Sequence, residues 1–158
     1  MFHYKDCGLS IVWLINGYAQ EKMNKGFAYR IEDKSGLHRL IAKALINRRG
    51  SLTGREMYFI RSEMNLLTRE LGEKMGVGAS IVSQWEQSCH PLPRGADIAL
   101  RTIYVGLLLE ESERELHVHL LSESGQDRFI EQLIFRFIDR QWQRYVPLPG
   151  SPAEIEPI

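Results

Sequence analysis

Apolar and polar positions alternate over the first fifth of the chain, and then the period changes. Val12-Trp13-Leu14-Ile15 is a short apolar run that ends at Asn16-Gly17, and Tyr18-Ala19 resumes beyond it. Asn-Gly between apolar runs is the strongest short-range hairpin signal. Asn24-Lys25-Gly26 marks a second turn before the alternating stretch Phe27-Ala28-Tyr29-Arg30-Ile31. Residues 1–32 therefore predict a small antiparallel sheet of two or three strands. Such a sheet is marginally stable alone and needs a helix over one face. Helical spacing takes over next: Leu37, Leu40, Ile41, Ala44 and Leu45 fall on one stripe, with Arg39 and Lys43 outside it. This helix starts at Ser35-Gly36-Leu37-His38 and ends at Arg48-Arg49-Gly50-Ser51.

Thr53-Gly54-Arg55-Glu56 has the form of a capping box and predicts a helix over about 54–65. Two short helices follow, at 68–75 and 79–87. In the stretch 66–86, Leu66, Leu71, Met75, Val77, Val82 and Trp85 are apolar where two such helices press on each other. Gly76 stands where the first must stop, since glycine takes up positive φ without steric penalty. Gly72 lies inside that helix, where glycine costs about 1 kcal/mol against alanine, so another segment must approach it closely. The second helix is the candidate. It closes on Trp85-Glu86, with the Trp expected inside and the Glu on polar surface. His90-Pro91-Leu92-Pro93 is a rigid loop, and a longer helix runs from Gly95 or Ala96 through Leu100, Ile103, Tyr104, Leu107 and Leu108. The tail is open to two readings. Phe129, Ile130, Leu133, Ile134, Phe137, Ile138 and Trp142 suit an amphipathic helix, whereas the β-branched and aromatic run 134–138 before Asp139-Arg140-Gln141 suits a hairpin. The favoured reading is a helix around 126–132 and then a hairpin. Residues 146–158 carry no periodicity and read as a loose end.

The stretch Arg61–Pro93 resembles the Cro/cI-type repressors, the XRE-like family of bacterial and phage regulators. Arg61, Leu66, Leu71, Gly72, Met75, Gly76, Val77, Val82, Trp85 and Glu86 match its pattern. Two positions depart from it. Leu67-Thr68 replaces the usual Ser-Gln pair, and Gly78 replaces the usual Ser or Thr cap. The resemblance implies an α+β, mainly α chain: a five-helix, lambda-repressor-like DNA-binding domain, preceded by a small antiparallel β-sheet plus helix and followed by a short helix or hairpin. The expected division is residues 1–50, 51–110 and 111–158. The helix at 79–87 is then the one that enters the major groove, where each base pair shows its own donor and acceptor pattern. Gly78, Ala79, Ser80, Ser83 and Gln84 become candidate contacts. Gln84 can hold adenine through its amide, Ser80 and Ser83 can bond a base edge or a phosphate, and Ala79 can touch a thymine methyl. Thr68, Arg69 and Arg94 are candidate phosphate contacts. Arg61 is expected to pair with Glu86. For each contact there is a plainer reading as an ordinary exposed side chain.

Composition adds less. The net charge is zero, awkward for a nucleic-acid binder, yet its distribution is uneven. Residues 22–61 carry ten Lys/Arg against Glu32, Asp33 and Glu56, a net +7, and residues 110–131 a net −5. A neutral protein of this kind can still turn a basic face to DNA. Two cysteines, Cys7 and Cys89, fit a reducing cytosol better than a disulfide framework. The first residues do not read as a signal peptide, and no apolar run reaches a membrane span. The expected location is cytoplasmic. His3, Cys7, His38, Cys89, His90, His117 and His119 have no zinc-ligand spacing beyond a weak His117-x-His119, so no metal or other cofactor is expected. No nucleophile elbow, phosphate loop or His-Glu-x-x-His is present, and nothing points to an enzyme.

Three functions compete. The first is a dimeric, autoregulatory repressor binding a palindromic double-stranded operator. The second is an antitoxin whose N-terminal half or tail holds a toxin partner. The third is a protein–protein adaptor on a helix-turn-helix scaffold. The helix from Ile98 to Leu109 has more leucine than one face needs, which offers either a dimer surface or further core. Tyr4-Lys5-Asp6-Cys7-Gly8-Leu9 and Val12 through Tyr18, followed by Asp33-x-x-Gly36-Leu37-His38, look like the lead segment of a subset of XRE-like regulators, a segment with no settled activity.

Overall fold

The computed structural model describes residues 1–108 and 132–149. In chain order the elements are β1 (Phe2–His3), β2 (Val12–Leu14), β3 (Tyr18–Met23), β4 (Gly26–Ile31), α1 (Lys34–Asn47), α2 (Gly54–Glu63), α3 (Thr68–Met75), α4 (Ala79–Glu86), α5 (Arg94–Leu108), β5 (Leu133–Ile138) and β6 (Gln141–Tyr145). The class is α+β. The described residues gather into two compact units, within Met1–Ile41 with Glu131–Ile158 and within Ala42–Ile130, with the division falling inside α1. These bounds differ from the expected 1–50, 51–110 and 111–158. The difference arises because β5 and β6 join the N-terminal strands instead of forming an extension of their own.

In the first unit a four-stranded sheet has the order β1-β2-β5-β6. β2 and β5 are parallel, with Val12 opposite Leu133 and Leu14 opposite Phe135. The outer pairs are antiparallel. Parallel strands cannot be joined by a tight turn. Here the connection between them contains all five helices described. Val12, Leu14, Leu133 and Phe135 are fully buried together with Tyr4, Leu37 and Ile41. The Tyr4 hydroxyl hydrogen-bonds His38 Nε2 at 2.8 Å, tying the N-terminal segment to α1.

Asn16-Gly17 is not the expected hairpin turn. β2 does not pair with β3, which instead forms a separate two-stranded sheet with β4. The Asn16 side chain takes over the role of a strand edge: its Nδ2 donates to the Phe137 carbonyl at 3.1 Å and its Oδ1 accepts from the Phe137 amide at 2.6 Å. Gly17, at φ +77°, lies where a Cβ would come within 2.6 Å of the Trp142 ring. The dipeptide therefore carries the chain from one sheet to the next. The turn at Asn24-Lys25-Gly26 does close a hairpin, with Met23 opposite Gly26. The hairpin reading of the tail also holds over 133–145, where Asp139 and Arg140 both take positive φ between Ile138 and Gln141. That pair of conformations is a type I′ turn, whose twist matches the flanking strands. All but the last residue of the helix expected at 126–132, the acidic stretch 110–131 and most of the expected loose end lie outside the described residues.

α1 starts one residue earlier than expected, because the Asp33 carboxylate accepts from the Gly36 amide at 3.1 Å. Its C-terminal half is apolar on more than one stripe: Ala42, Ala44, Leu45 and Ile46 are all buried, whereas Leu40 is half-buried. Arg101, on α5 and 2% exposed, closes this end of the helix. Its Nη1 donates to the carbonyls of Ile46 and Arg48 at 2.8 Å each, its Nη2 to the Gly50 carbonyl at 2.5 Å, and its Nε to Asp97 at 3.2 Å. Asp97 in turn accepts from the Leu52 amide at 2.8 Å. Arg48, expected among the basic surface residues, is also inside, bonded at 2.6 Å to Glu56. Both cysteines are free thiols, Cys7 partly buried and Cys89 exposed. Among the described residues no helix is long and apolar enough to cross a membrane.

Candidate nucleic-acid interface

The second unit contains α3 and α4, joined by Gly76-Val77-Gly78. The helix stop is a Schellman turn: the Val77 amide donates to the Gly72 carbonyl at 2.9 Å and the Gly76 amide to the Glu73 carbonyl at 3.4 Å, with Gly76 left-handed at φ +75°. Gly72 meets the close approach expected of it. A Cβ there would lie 2.6 Å from the Val77 carbonyl oxygen and 3.5 Å from the Ala79 nitrogen. The neighbour is thus the turn and the first residue of α4, not the body of that helix.

α4 is held from behind by α2. Arg61 grips Glu86 with both arms of its fork, Nε to Oε1 at 2.6 Å and Nη2 to Oε2 at 3.0 Å, while Nη1 donates to the Leu66 carbonyl at 2.9 Å. The hydrogen bond to Glu86 raises the Arg61 pKa above its ordinary value, against the opposing effect of burial. The expected pair is present, but the expectation that Trp85 is inside and Glu86 outside is reversed: Glu86 is buried and Trp85 only half-buried. Helical periodicity alone points an acid outward, and the bidentate partner overrides it. A second anchor was not legible in the sequence. Gly54, the first residue of α2, lies directly against the carbonyl of Trp85, and the Ser88 carbonyl is 2.5 Å from where its Cβ would be. Only a glycine lets the end of α4 sit on the start of α2. The capping box that starts α2 is present as expected, with the Thr53 amide 2.8 Å from Glu56 Oε2 and the Glu56 amide 3.3 Å from Thr53 Oγ1.

With Val82 and Glu86 turned inward, α4 leaves Ser80, Gln84 and Gln87 exposed, and Ala79 and Ser83 half-buried. Ser80, Ser83, Gln84 and Gln87 follow an i, i+3, i+4, i+7 spacing and so share a face. Ile81, 37% exposed on the flank of that face, was not among the sequence candidates. Its signal is weak, because an isolated apolar residue on a short helix reads as core. Gly78 is exposed and, as N-cap, supplies no side-chain acceptor to α4. At the start of α3 the N-cap is Leu67, which likewise offers none. α4 thus begins with amides that no capping side chain occupies, and such amides attract anions, whereas at α3 the Leu67 amide donates to Glu70 Oε1 at 3.4 Å. Thr68 is half-buried and Arg69 exposed at the start of α3. Arg94 is exposed but opens a different helix, α5.

The basic surface is smaller than a residue count implies. Arg48, Arg61 and Arg101 are spent on Glu56, Glu86 and Asp97. Exposed cations of this unit include Arg49, Arg55, Arg69, Lys74 and Arg94. Among the described residues no three His, Cys, Asp or Glu side chains gather as metal ligands, and His117 and His119 lie outside those residues. Comparison with family models, curated proteins and solved structures gives no match.

Proposed function

We propose that the chain is a sequence-specific regulator that binds double-stranded DNA, with its second unit a lambda-repressor-like reading domain of the Cro/cI type. The observation that carries this reading is the combination at α3 and α4. A polar, exposed face on α4 is held from behind by the Arg61–Glu86 pair, and α4 starts with amides that no side chain caps. α4 enters the major groove, where Gln84 and Ser80 meet base edges and Ile81 offers a methyl contact to thymine. Amides at the starts of α3 and α4, with the Arg69 guanidinium, meet phosphate oxygens and set the register. One reading helix covers too little DNA for selectivity, so two copies act on a palindrome with half-sites about 34 Å apart. Leu107 and Leu108, 49% and 45% exposed at the end of α5, supply apolar surface for that pairing.

The test is binding to a duplex recovered by selection from a randomised pool, followed by fluorescence anisotropy across a salt series. The logarithm of affinity should fall linearly with the logarithm of salt concentration. Arg69→Gln should reduce the slope by about one while weakening all sequences alike. Failure to bind any duplex at low salt refutes the reading and leaves the adaptor as the better description. Affinity indifferent to salt is equally incompatible with it.

A further inference from the structure

The first unit contains a cleft of about 400 Å³ that the DNA-reading proposal does not use. Its walls include Phe2, His3, Trp13, Tyr18 and Tyr29, with Lys5 at the same opening. Strand register explains how these rings converge. In the β3–β4 hairpin Tyr18 faces Ile31 and Gln20 faces Tyr29, so Tyr18, Gln20 and Tyr29 share one face. Phe2, on β1, covers that face, its ring centroid 4.9 Å from Tyr18 and 4.4 Å from Tyr29. His3 and Trp13, opposite each other across β1 and β2, complete the aromatic lining, stacked at 4.2 Å and 9° from parallel. Their orientation is fixed by bonds elsewhere, His3 Nε2 to the Ser10 carbonyl and Trp13 Nε1 to Gln132. Tyr29 remains 42% exposed despite its aromatic neighbours. None of the lining residues is an Asp or Glu, and the one formal side-chain charge among them is that of Lys5.

From this geometry we infer that the first unit binds a small, planar, aromatic anion, with the ring against the aromatic walls and the acid group at Lys5. The volume is that of a small-molecule site, and aromatic walls with a few placed polar groups are the usual construction. Ring surfaces favour a planar partner through offset or edge contacts. An ammonium group without a lining carboxylate selects negative charge. The site lies wholly within the first unit, so the inference stands or falls separately from the reading of α4.

Calorimetric titration of the full chain with naphthoate, and with naphthamide as its neutral counterpart, tests this. Naphthoate should bind saturably at one site per chain, and more tightly than naphthamide. Lys5→Gln should weaken naphthoate about 2- to 5-fold and leave naphthamide unchanged, the scale of an exposed ion pair. Tyr29→Ser should weaken both ligands about 2- to 12-fold, the scale of an aromatic contact. Lys5 is exposed, so its variant keeps the test decisive even where loss of the Tyr29 ring disturbs the hairpin. No saturable binding, equal affinity for the two ligands, or naphthoate binding indifferent to Lys5→Gln each overturns the proposal. Displacement of naphthoate by a single-stranded oligonucleotide at lower concentration also overturns it, assigning the aromatic face to nucleic acid.

Discussion

Replacing Arg101 by Met lowers the stability of the second unit by about 3–5 kcal/mol, the scale set by removing one partner of a buried ion pair. Arg101 donates to three backbone carbonyls and to the Asp97 carboxylate. Without it, Asp97 is left as a buried negative charge, already with one oxygen unbonded. The carbonyls of Ile46, Arg48 and Gly50 lose their donor in a place where water does not replace it. Arg101→Lys keeps the charge but not the fork and falls between the two. Adding Asp97→Asn to Arg101→Met should recover part of the loss, since the uncompensated charge disappears. Urea unfolding followed by far-ultraviolet circular dichroism measures all four proteins. A loss below about 1 kcal/mol for Arg101→Met would mean that the guanidinium is in fact hydrated.

Gly54→Ala is the second large effect, and it connects stability to recognition. The added methyl meets the backbone carbonyl of Trp85, which has no flexible end to swing aside. Either the start of α2 or the end of α4 must shift. The expected cost is about 1–3 kcal/mol, the range for overpacking a filled site. Because the shift falls on α4, duplex affinity should drop as well, at temperatures where the variant is still fully folded. Gly95→Ala is the control: a Cβ there meets nothing, and alanine is the better helix former, so stability should hold or rise slightly. Thermal melts and anisotropy on the same samples separate the two glycines. Similar behaviour of both variants is incompatible with the described contact.

Local signals in the sequence located the helices well. The Thr53–Glu56 capping box, the Gly76 stop and the spacing around Leu71 and Val82 act within one or two turns, and α2, α3 and α4 lie where those signals put them. Signals that depend on distant partners were not legible. Asn16-Gly17 has the composition of a hairpin turn, yet the β2 strand pairs with β5, more than a hundred residues on, and Asn16 follows it there. Asp97 and Arg101 are one helical turn apart, and no local pattern marks them as buried; the end of α1 closes over them. The Arg61–Glu86 pair is implied by the family resemblance, but the burial of Glu86 is not. For the candidate interface, Ser80, Ser83 and Gln84 are what the family resemblance implies, and helical spacing puts them on one face. Exposure adds Ile81 and Gln87 to that face and leaves Ala79 half-covered. The cleft in the first unit has no local signature in the sequence, because its walls come from four strands whose register no local pattern encodes.

The central claim is that Gln84 reads a base through the major groove, and a loss-of-contact experiment addresses it most directly. A selected duplex is changed one base pair at a time, and affinities are measured for the native chain and for Gln84→Ala. The native chain should discriminate at several positions, by about 1–3 kcal/mol each. In Gln84→Ala, discrimination should vanish at one adenine–thymine pair in each half-site and persist at the others. An unchanged discrimination profile, with affinity merely lowered throughout or not lowered at all, would contradict the assignment of α4 as the reading helix.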